Sequence, residues 1–336
     1  MRRPWAGRGR ARGERRHRRR AADRRSSDGA GAGDGRVGAA PGQCRRPAGT
    51  QRGHRPGAQL GHRLSGPVVA RSRPSRQRVA ADRRRRRRVI AAVLERLGEQ
   101  YGHPRWAGPR LDPVSELVLT ILSQNTADVN SARAFDALRA RYPSWDRVLS
   151  APTDELTQVI RPGGLAPTKA PRIQRVLAEI LDARASLDLG FLAGLAVSEA
   201  RAWLAALPGI GAKTASIVLL FGFGRPALPV DTHVYRVASR LGLLPPRTPI
   251  GRAHELLEES LEPSEMYPFH VELIRHGRDT CRAPRPICGL CPLTDVCAHY
   301  VLVRAGRAPV APIPRTPVHR GPRYHDELIH GAPPPE

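Results

Sequence analysis

Arginine is distributed very unevenly along this 336-residue chain, and that distribution decides which part of the chain can fold. Residues 1–88 contain 28 arginines and five acidic residues, show no hydrophobic period, and carry +23 of the formal net charge of +26. A segment of this composition cannot bury enough apolar surface to offset the conformational entropy lost on ordering. We therefore predict that residues 1–88 form a disordered tail and that the core lies in the rest of the chain.

The tail has two main interpretations, which the sequence leaves open, and an Arg-rich organellar transit peptide is a third. The main two are a non-specific nucleic-acid-binding arm and upstream DNA of a GC-rich bacterial gene, translated from a misassigned start. Arg, Ala, Gly and Pro, which dominate it, all have GC-rich codons. The chain has neither the apolar segment of a secretory signal nor an apolar run long enough to span a membrane. The expectation is a cytoplasmic, nucleoid-associated protein without a membrane partner.

The remaining residues show the 3.6-residue apolar period of helices, beginning with an amphipathic segment at 89–101. Asp112 is a good N-cap and Pro113 suits the first position of the next helix. Strand signals are nearly absent, and the residues after His299 are Pro-rich and expected to be loose. The sequence therefore predicts an all-α protein of two small lobes, with further helices at 129–141, 153–160, 168–185, 198–206, 212–222, 231–242, 250–261 and 265–278.

Lysine is rare, since the chain has only Lys169 and Lys213 against 54 arginines. Lys213 follows the segment LPGIG, where Gly209 and Gly211 indicate a tight turn, and a helix starts at once. A turn of this kind presents backbone N–H groups and the positive end of a helix dipole, which suit a phosphate. That dipole and partial burial would lower the pKa of Lys213 and make its amine a nucleophile able to form a Schiff base. Arginine cannot do this because its guanidinium stays protonated.

Asp231 follows the helix predicted at 212–222, and the Gly- and Pro-rich stretch between them lets the chain return to the cleft beside Lys213. Its carboxylate could take up or relay the protons of the amine. Asp231 also precedes a helix, so it could be only the N-cap.

Four cysteines lie close together near the end of the chain, in the order Cys281, Cys288, Cys291 and Cys297. In a chain without a signal peptide this clustering favours a metal or cluster site over disulfides. Four thiolates suit tetrahedral Zn²⁺ or a [4Fe–4S] cluster, and chemistry alone does not choose between them. The fifth cysteine, Cys44, lies alone in the tail.

The stretches LPGIGAKTA and VDTHVYRVASRLG, together with the cysteine spacing, resemble the endonuclease III family of helix-hairpin-helix DNA glycosylases over about residues 89–300. The resemblance implies a six-helix domain with the helix-hairpin-helix at 108–225 and an iron–sulfur cluster domain formed by 89–107 and 226–303. A Pro-rich tail at 304–336 follows.

The same resemblance assigns roles to residues. The hairpin glycines Gly209 and Gly211 would bind the DNA backbone, Lys213 would attack C1′ of the damaged nucleotide, and Asp231 would assist. The four cysteines would hold a [4Fe–4S] cluster, with zinc as the alternative. The implied activity is base excision followed by strand cleavage 3′ to the abasic site through β-elimination. The implied partner is double-stranded DNA containing damaged bases or abasic sites, bound by a monomer.

Two loops resemble the family segments that enter the DNA when a base is flipped. In LSQNTAD (122–128) the inserting polar side chain would be Gln124 or Asn125. In GGLAPTKA (163–170) Leu165 would be an apolar wedge. From the residues alone, each segment could equally be an ordinary interhelical turn, and Lys169 either a phosphate contact or a solvated helix residue.

Among relatives, the adenine glycosylases have a catalytic glutamate where this chain has Thr120, and they lack the lysine that matches Lys213. Both differences argue against that activity. Mismatch and pyrimidine-dimer glycosylases remain open. A non-catalytic helix-hairpin-helix module with a structural metal would not need both Lys213 and Asp231. The sequence therefore predicts a glycosylase with AP lyase activity on oxidised pyrimidines, without fixing the lesion.

Overall fold

The computed structural model describes residues 76–314, which contain helices and no strand. The predicted all-α class is confirmed. The predicted disorder of the N-terminal tail falls outside the described residues up to position 75, as does the part of the Pro-rich tail beyond residue 314. The first lobe is built from seven of the α-helices: α2 Pro113–Ser123, α3 Asp128–Arg141, α4 Trp145–Ser150, α5 Thr153–Val159, α6 Ala166–Arg184, α7 Val197–Ala206 and α8 Ala212–Phe223.

The second lobe adds α1 Arg76–Tyr101, α9 Thr232–Leu241, α10 Ile250–Glu258, α11 Met266–Asp279 and α12 Ala298–Arg304. Short 3-10 helices lie at Arg161–Gly163, Gly190–Gly194, Pro263–Glu265 and Cys288–Leu290. The long helices begin and end within a few residues of the predicted positions, apart from α1. The sequence pattern missed α4 and α12.

The central helix of the first lobe is α2, and its start follows from two residues. The Asp112 side chain accepts hydrogen bonds from the backbone N–H groups of Val114 (3.1 Å) and Ser115 (2.9 Å). Pro113 occupies the first turn, where a missing N–H costs nothing. Every residue from 114 to 122 is buried, so α2 passes through the middle of the lobe.

Two apolar cores share α8. One core is formed by residues between 114 and 227, and the other by residues 89–97 and 217–293. Val218 and Leu219 face the first core, whereas Leu220 and Phe221 face the second. The helix that begins beside Lys213 is therefore packed on both sides, although the sequence assigned it to the first domain alone.

Residues 76–88 are helical, which corrects the predicted boundary of the tail at residue 88. The reason is that individual arginines of α1 have specific partners in the second lobe. Arg85 donates to Gly242 O (2.8 Å), and Arg87 donates to both carboxylate oxygens of Glu265 (2.7 and 2.9 Å). Composition alone suggests that these arginines are solvated charges, because it does not reveal which of them have partners in the fold.

Residues 298–304 are also helical, which corrects the expectation of a loose chain after His299. His299 and Tyr300 line the cavity that the cysteines surround. The position of α12 thus follows from the cysteine loop rather than from an apolar period of its own.

Candidate active site and cysteine cluster

The turn between α7 and α8 has the geometry expected for LPGIG. The N–H of Ile210 donates to Leu207 O (3.1 Å), with Pro208 and Gly209 as the central residues and a φ of 75° at Gly209. This is a type II turn, whose third residue favours glycine. A Cβ at Gly209 would also lie 2.8 Å from Nε of Arg172. Gly209 is therefore required both by its backbone conformation and by a close neighbour.

Gly211 serves a different purpose. It is the N-cap of α8, its φ of −102° suits any residue, and a Cβ there would meet open space. No side chain caps the helix. Since the first N–H groups of a helix have no partner within it, the start of α8 offers backbone donors and a positive dipole to an anion.

Lys213 is the second residue of α8 and is half-buried. Burial lowers the pKa of its amine below the usual value, and the Arg278 guanidinium adds to this lowering. The carboxylates of Asp231 and Asp128 act in the opposite direction and raise that pKa. The structure thus brings Lys213 and Asp231 into one electrostatic environment.

Asp231 is indeed the N-cap of α9, because its Oδ1 accepts a hydrogen bond from the N–H of Val234 (2.7 Å). The cap fixes the carboxylate in place. The N-cap interpretation is therefore confirmed, and it leaves the other one open, because the same carboxylate also raises the pKa of Lys213.

The segment before Asp231 is held by buried side chains of α10 and α11. His254 Nδ1 lies 2.9 Å from Leu228 O, and His270 Nδ1 lies 2.9 Å from Pro229 O. A carbonyl oxygen only accepts, so both rings donate through Nδ1. Burial lowers the pKa of His270 to about 4, which keeps it neutral near pH 7.

Two charged residues of the site were missed by sequence reasoning. Asp128, the first residue of α3, forms an ion pair with Arg278 near the end of α11, and both side chains are largely buried. The sequence indicated only that Asp128 ends a polar loop and that Arg278 belongs to a helix. No local pattern relates two residues that lie this far apart along the chain.

Each of the two loops resembling DNA-inserting segments has an exposed residue at its tip. Gln124 is engaged, since its Oε1 accepts from Arg172 (2.8 Å) and its Nε2 lies 3.4 Å from Thr214 Oγ1. Asn125 is exposed with a φ of 52°. Leu165 is 55% exposed with a φ of 51°. Asn125 and Leu165 thus both protrude in the left-handed conformation.

Lys169 is neither a phosphate contact nor a solvated residue, so both expectations for it were wrong. Its side chain is fully buried, and its Nζ donates to Leu122 O, Thr126 Oγ1 and Gly163 O. Burial, and secondly the Arg172 charge, lowers its pKa to about 8. The helical period could not reveal this, because the acceptors come from two distant loops.

The four cysteines are free thiols that line one small cavity. Burial, and then the charges of the other cysteines, raises the pKa of Cys291 to about 12. Arg240 donates to Cys281 Sγ (3.3 Å), and the N–H of Leu293 donates to Cys291 Sγ (3.4 Å). Within residues 76–314 no group of three or more His, Cys, Asp or Glu side chains is arranged to hold a single metal ion.

Comparison with known proteins places these features in a family. Residues 118–263 match the HhH-GPD superfamily of base excision DNA repair proteins. The endonuclease III of Rickettsia conorii is 37% identical over 214 residues, which are 63% of this chain and 96% of that protein. The chain belongs to the endonuclease III family. Within the described residues, no helix of this endonuclease III homologue is long and apolar enough to cross a membrane.

Two further comparisons extend the match. A DNA glycosylase-like protein of Arabidopsis thaliana is 38% identical over 162 residues, 48% of this chain, and the chain spans only 55% of that protein. A solved non-covalent complex of endonuclease III with DNA has 28% sequence identity and a TM-score of 0.57. That match covers 65% of this endonuclease III homologue and 98% of the solved chain.

Proposed function

We propose that Lys213 and Asp231 perform the chemistry of this endonuclease III homologue on oxidised pyrimidines in double-stranded DNA. The chain is a base excision repair enzyme with DNA glycosylase and AP lyase activity, as its family membership establishes. The proposal concerns the residues that act and the lesion that they act on. The observation that carries it is the half-buried amine of Lys213 in the first turn of α8, whose pKa is lowered by burial and raised by the carboxylates of Asp231 and Asp128.

The first reaction replaces the bond between the base and the sugar. The uncharged Nζ of Lys213 attacks C1′, the glycosidic bond breaks, and the base leaves with the bonding electron pair and takes up a proton. Asp231, held by its cap on α9, receives the proton that the nitrogen releases. The C1′–O4′ bond then breaks, O4′ takes up the proton held by Asp231, and a protonated Schiff base forms between Lys213 and C1′.

The second reaction cleaves the strand. A proton is removed from C2′, its electron pair forms a C2′–C3′ double bond, and the C3′–O bond breaks with the phosphate as leaving group. Water then hydrolyses the Schiff base, which restores the amine of Lys213 and releases an unsaturated aldehyde on the upstream strand. A positive nitrogen on C1′ is required, because it acidifies the C2′ proton.

The loops beside the site complete the proposed DNA interface. The uncapped start of α8, with Gly209 and Gly211, binds a backbone phosphate. Asn125, rather than Gln124, fills the gap left by the flipped nucleotide, because it is exposed while Gln124 is held by Arg172. Leu165 enters the opposite strand as an apolar wedge. These assignments rest on the uncapped start of α8, on the exposure of Asn125 and Leu165, and on the hydrogen bond that holds Gln124.

The cofactor is proposed to be a [4Fe–4S] cluster held by Cys281, Cys288, Cys291 and Cys297. Four free thiols around one cavity, two of them accepting N–H hydrogen bonds, form a donor set that fits a thiolate-ligated cluster. The cluster would hold the loop between α11 and α12, which bears the exposed Arg282 and Arg285. Iron and sulfide analysis should give about four of each per chain, whereas stoichiometric zinc would support the alternative.

The lesion is tested with duplexes of matched sequence that differ only at the lesion site. Single-turnover excision is measured for oxidised pyrimidines, a G·T mismatch, a pyrimidine dimer and adenine opposite 8-oxoguanine. Fastest excision of the oxidised pyrimidines supports the proposal, and faster excision of any other substrate rejects this lesion class. Lys213→Ala serves as the control for chemistry and should excise none of them.

A further inference from the structure

We propose that Lys169 is a positioning residue that holds the two DNA-inserting loops in one register, so that Asn125 and Leu165 enter the duplex together. This inference rests on the proposed function of those two residues. It concerns a buried amine that takes no part in the chemistry at Lys213.

The three acceptors of the Lys169 amine flank both loop tips. Leu122 O (2.5 Å) precedes Asn125, Thr126 Oγ1 (2.6 Å) follows it, and Gly163 O (3.0 Å) lies shortly before Leu165. One nitrogen therefore connects the end of α2, the loop after it and the loop before α6.

The loops are also joined to each other. Thr126 Oγ1 lies 2.7 Å from Gly163 O and 3.2 Å from Gln124 O. The backbone N–H of Lys169 donates to Leu165 O (3.0 Å), so the same residue fixes the second tip through its main chain. The result is a closed set of hydrogen bonds, which we call the Lys169 hub, consisting of Lys169, Thr126, Leu122 O and Gly163 O.

Both tips need such support because of their backbone conformation. Asn125 and Leu165 have φ values of 52° and 51°, a region in which the Cβ of a residue other than glycine crowds its own backbone. Leu165 is also the N-cap of α6 without a side-chain cap. Conformations of this kind persist only where the surroundings fix them.

Lysine suits this position better than arginine, even in a chain with 54 arginines and two lysines. An ammonium has three donors, and all three have acceptors here. A guanidinium has five donors in a plane and a larger volume, so in a fully buried site it would leave donors unsatisfied. The retention of lysine at both positions thus has two different causes, a nucleophile at Lys213 and a compact three-donor hub at Lys169.

The test separates positioning from general stability by comparing two substrates in the cluster-loaded enzyme. Base excision from duplex DNA requires the target base to be unstacked, whereas a preformed abasic site has no base to unstack. We expect Lys169→Met to slow excision at least about tenfold, because displacing a positioned group by about 1 Å can cost ~10²-fold. Strand cleavage at a preformed abasic site should change by less than about threefold. Equal losses on both substrates, or no loss on either, would overturn the proposal.

Two further variants serve as a matched control and as a replacement for a variant that does not fold. Arg175→Met removes one cation from the exposed part of the same helix and should leave both rates unchanged. If Lys169→Met does not fold, Thr126→Val removes the bridging hydroxyl alone and is judged by the same ratio of rates. An inactive wild type would instead reject the proposed function, so the two failures are distinguishable.

A double-mutant cycle tests the coupling itself. Asn125→Gly and Leu165→Ala are combined in the wild-type and Lys169→Met backgrounds, and excision rates are measured. If the two tips are coupled, the effects of Asn125→Gly and Leu165→Ala on the excision rate are non-additive in the wild-type background. They become additive in the Lys169→Met background, where the hub is removed. The same non-additivity in both backgrounds would contradict a role for Lys169.

Discussion

Arg278 of α11 forms an ion pair with Asp128 of α3, and this contact joins the two lobes beside Lys213. The two residues of this ion pair have opposite effects on the pKa of Lys213, because Asp128 raises it and Arg278 lowers it. The pair therefore holds the lobes together and also sets how readily the nucleophile loses its proton.

Breaking this ion pair should shift the pH dependence of Schiff-base formation in a direction that depends on the partner removed. Asp128→Asn lowers the pKa of Lys213 further, so the acid limb of the rate profile moves to lower pH. Arg278→Gln raises the pKa and moves the limb to higher pH. Each shift should be about half a unit to one unit, and borohydride trapping rates across pH measure it. Shifts of the same sign in both variants would contradict this electrostatic assignment.

The two glycines of the hairpin should respond differently to the same substitution. Gly209→Ala forces a Cβ into a φ of 75° and against Arg172, and should destabilise the protein by about 1 kcal/mol or more. Gly211→Ala has a permissive φ and open space, so it should leave stability unchanged. Thermal unfolding of both variants checks this. A stability loss at Gly211, or none at Gly209, would refute the assigned roles of the two glycines.

Asn125→Gly should impair base flipping more than Gln124→Ala does. Glycine keeps the left-handed backbone at position 125 while removing the inserting side chain. We expect a smaller rise in 2-aminopurine fluorescence beside the lesion for Asn125→Gly, with Gln124→Ala closer to the wild type. The reverse order would assign the insertion to Gln124.

Glu272 makes stability depend on pH. It is buried on α11, and burial raises its pKa to about 8 against the opposing charge of Arg275. A carboxyl whose pKa is higher in the folded than in the unfolded state contributes stability at low pH. For Glu272 this stability is lost as the pH rises from the ordinary glutamate pKa to about 8. Glu272→Gln should therefore gain stability relative to wild type between about pH 6 and about pH 9, by more than about 1 kcal/mol. Glu99→Gln, an exposed carboxyl on α1, is the control and should show no such change in denaturant unfolding across pH.

The sequence indicated the candidate site residues more readily than the residues that hold them in place. Lys213, Asp231 and the cysteines carry local signals, namely a turn before a helix, an N-cap pattern and a fixed spacing. Asp128 and Arg278 do not, because their relationship exists only after α3 and α11 have packed. Lys169 was misjudged for the same reason, since its acceptors lie on two loops that are distant from each other along the chain. The boundary of α1 was missed because composition does not reveal which arginines have partners.

The central claim is that the Lys213 amine attacks the sugar, and Lys213→Arg tests it most directly. Arginine preserves the positive charge that a phosphate contact would need but cannot form a Schiff base. Wild-type enzyme and variant are incubated with a duplex containing an abasic site, under borohydride, and DNA binding is measured in parallel. The account predicts a covalent protein–DNA adduct for the wild type and none for Lys213→Arg, with affinity retained within about threefold. An equal yield of adduct from Lys213→Arg would contradict it.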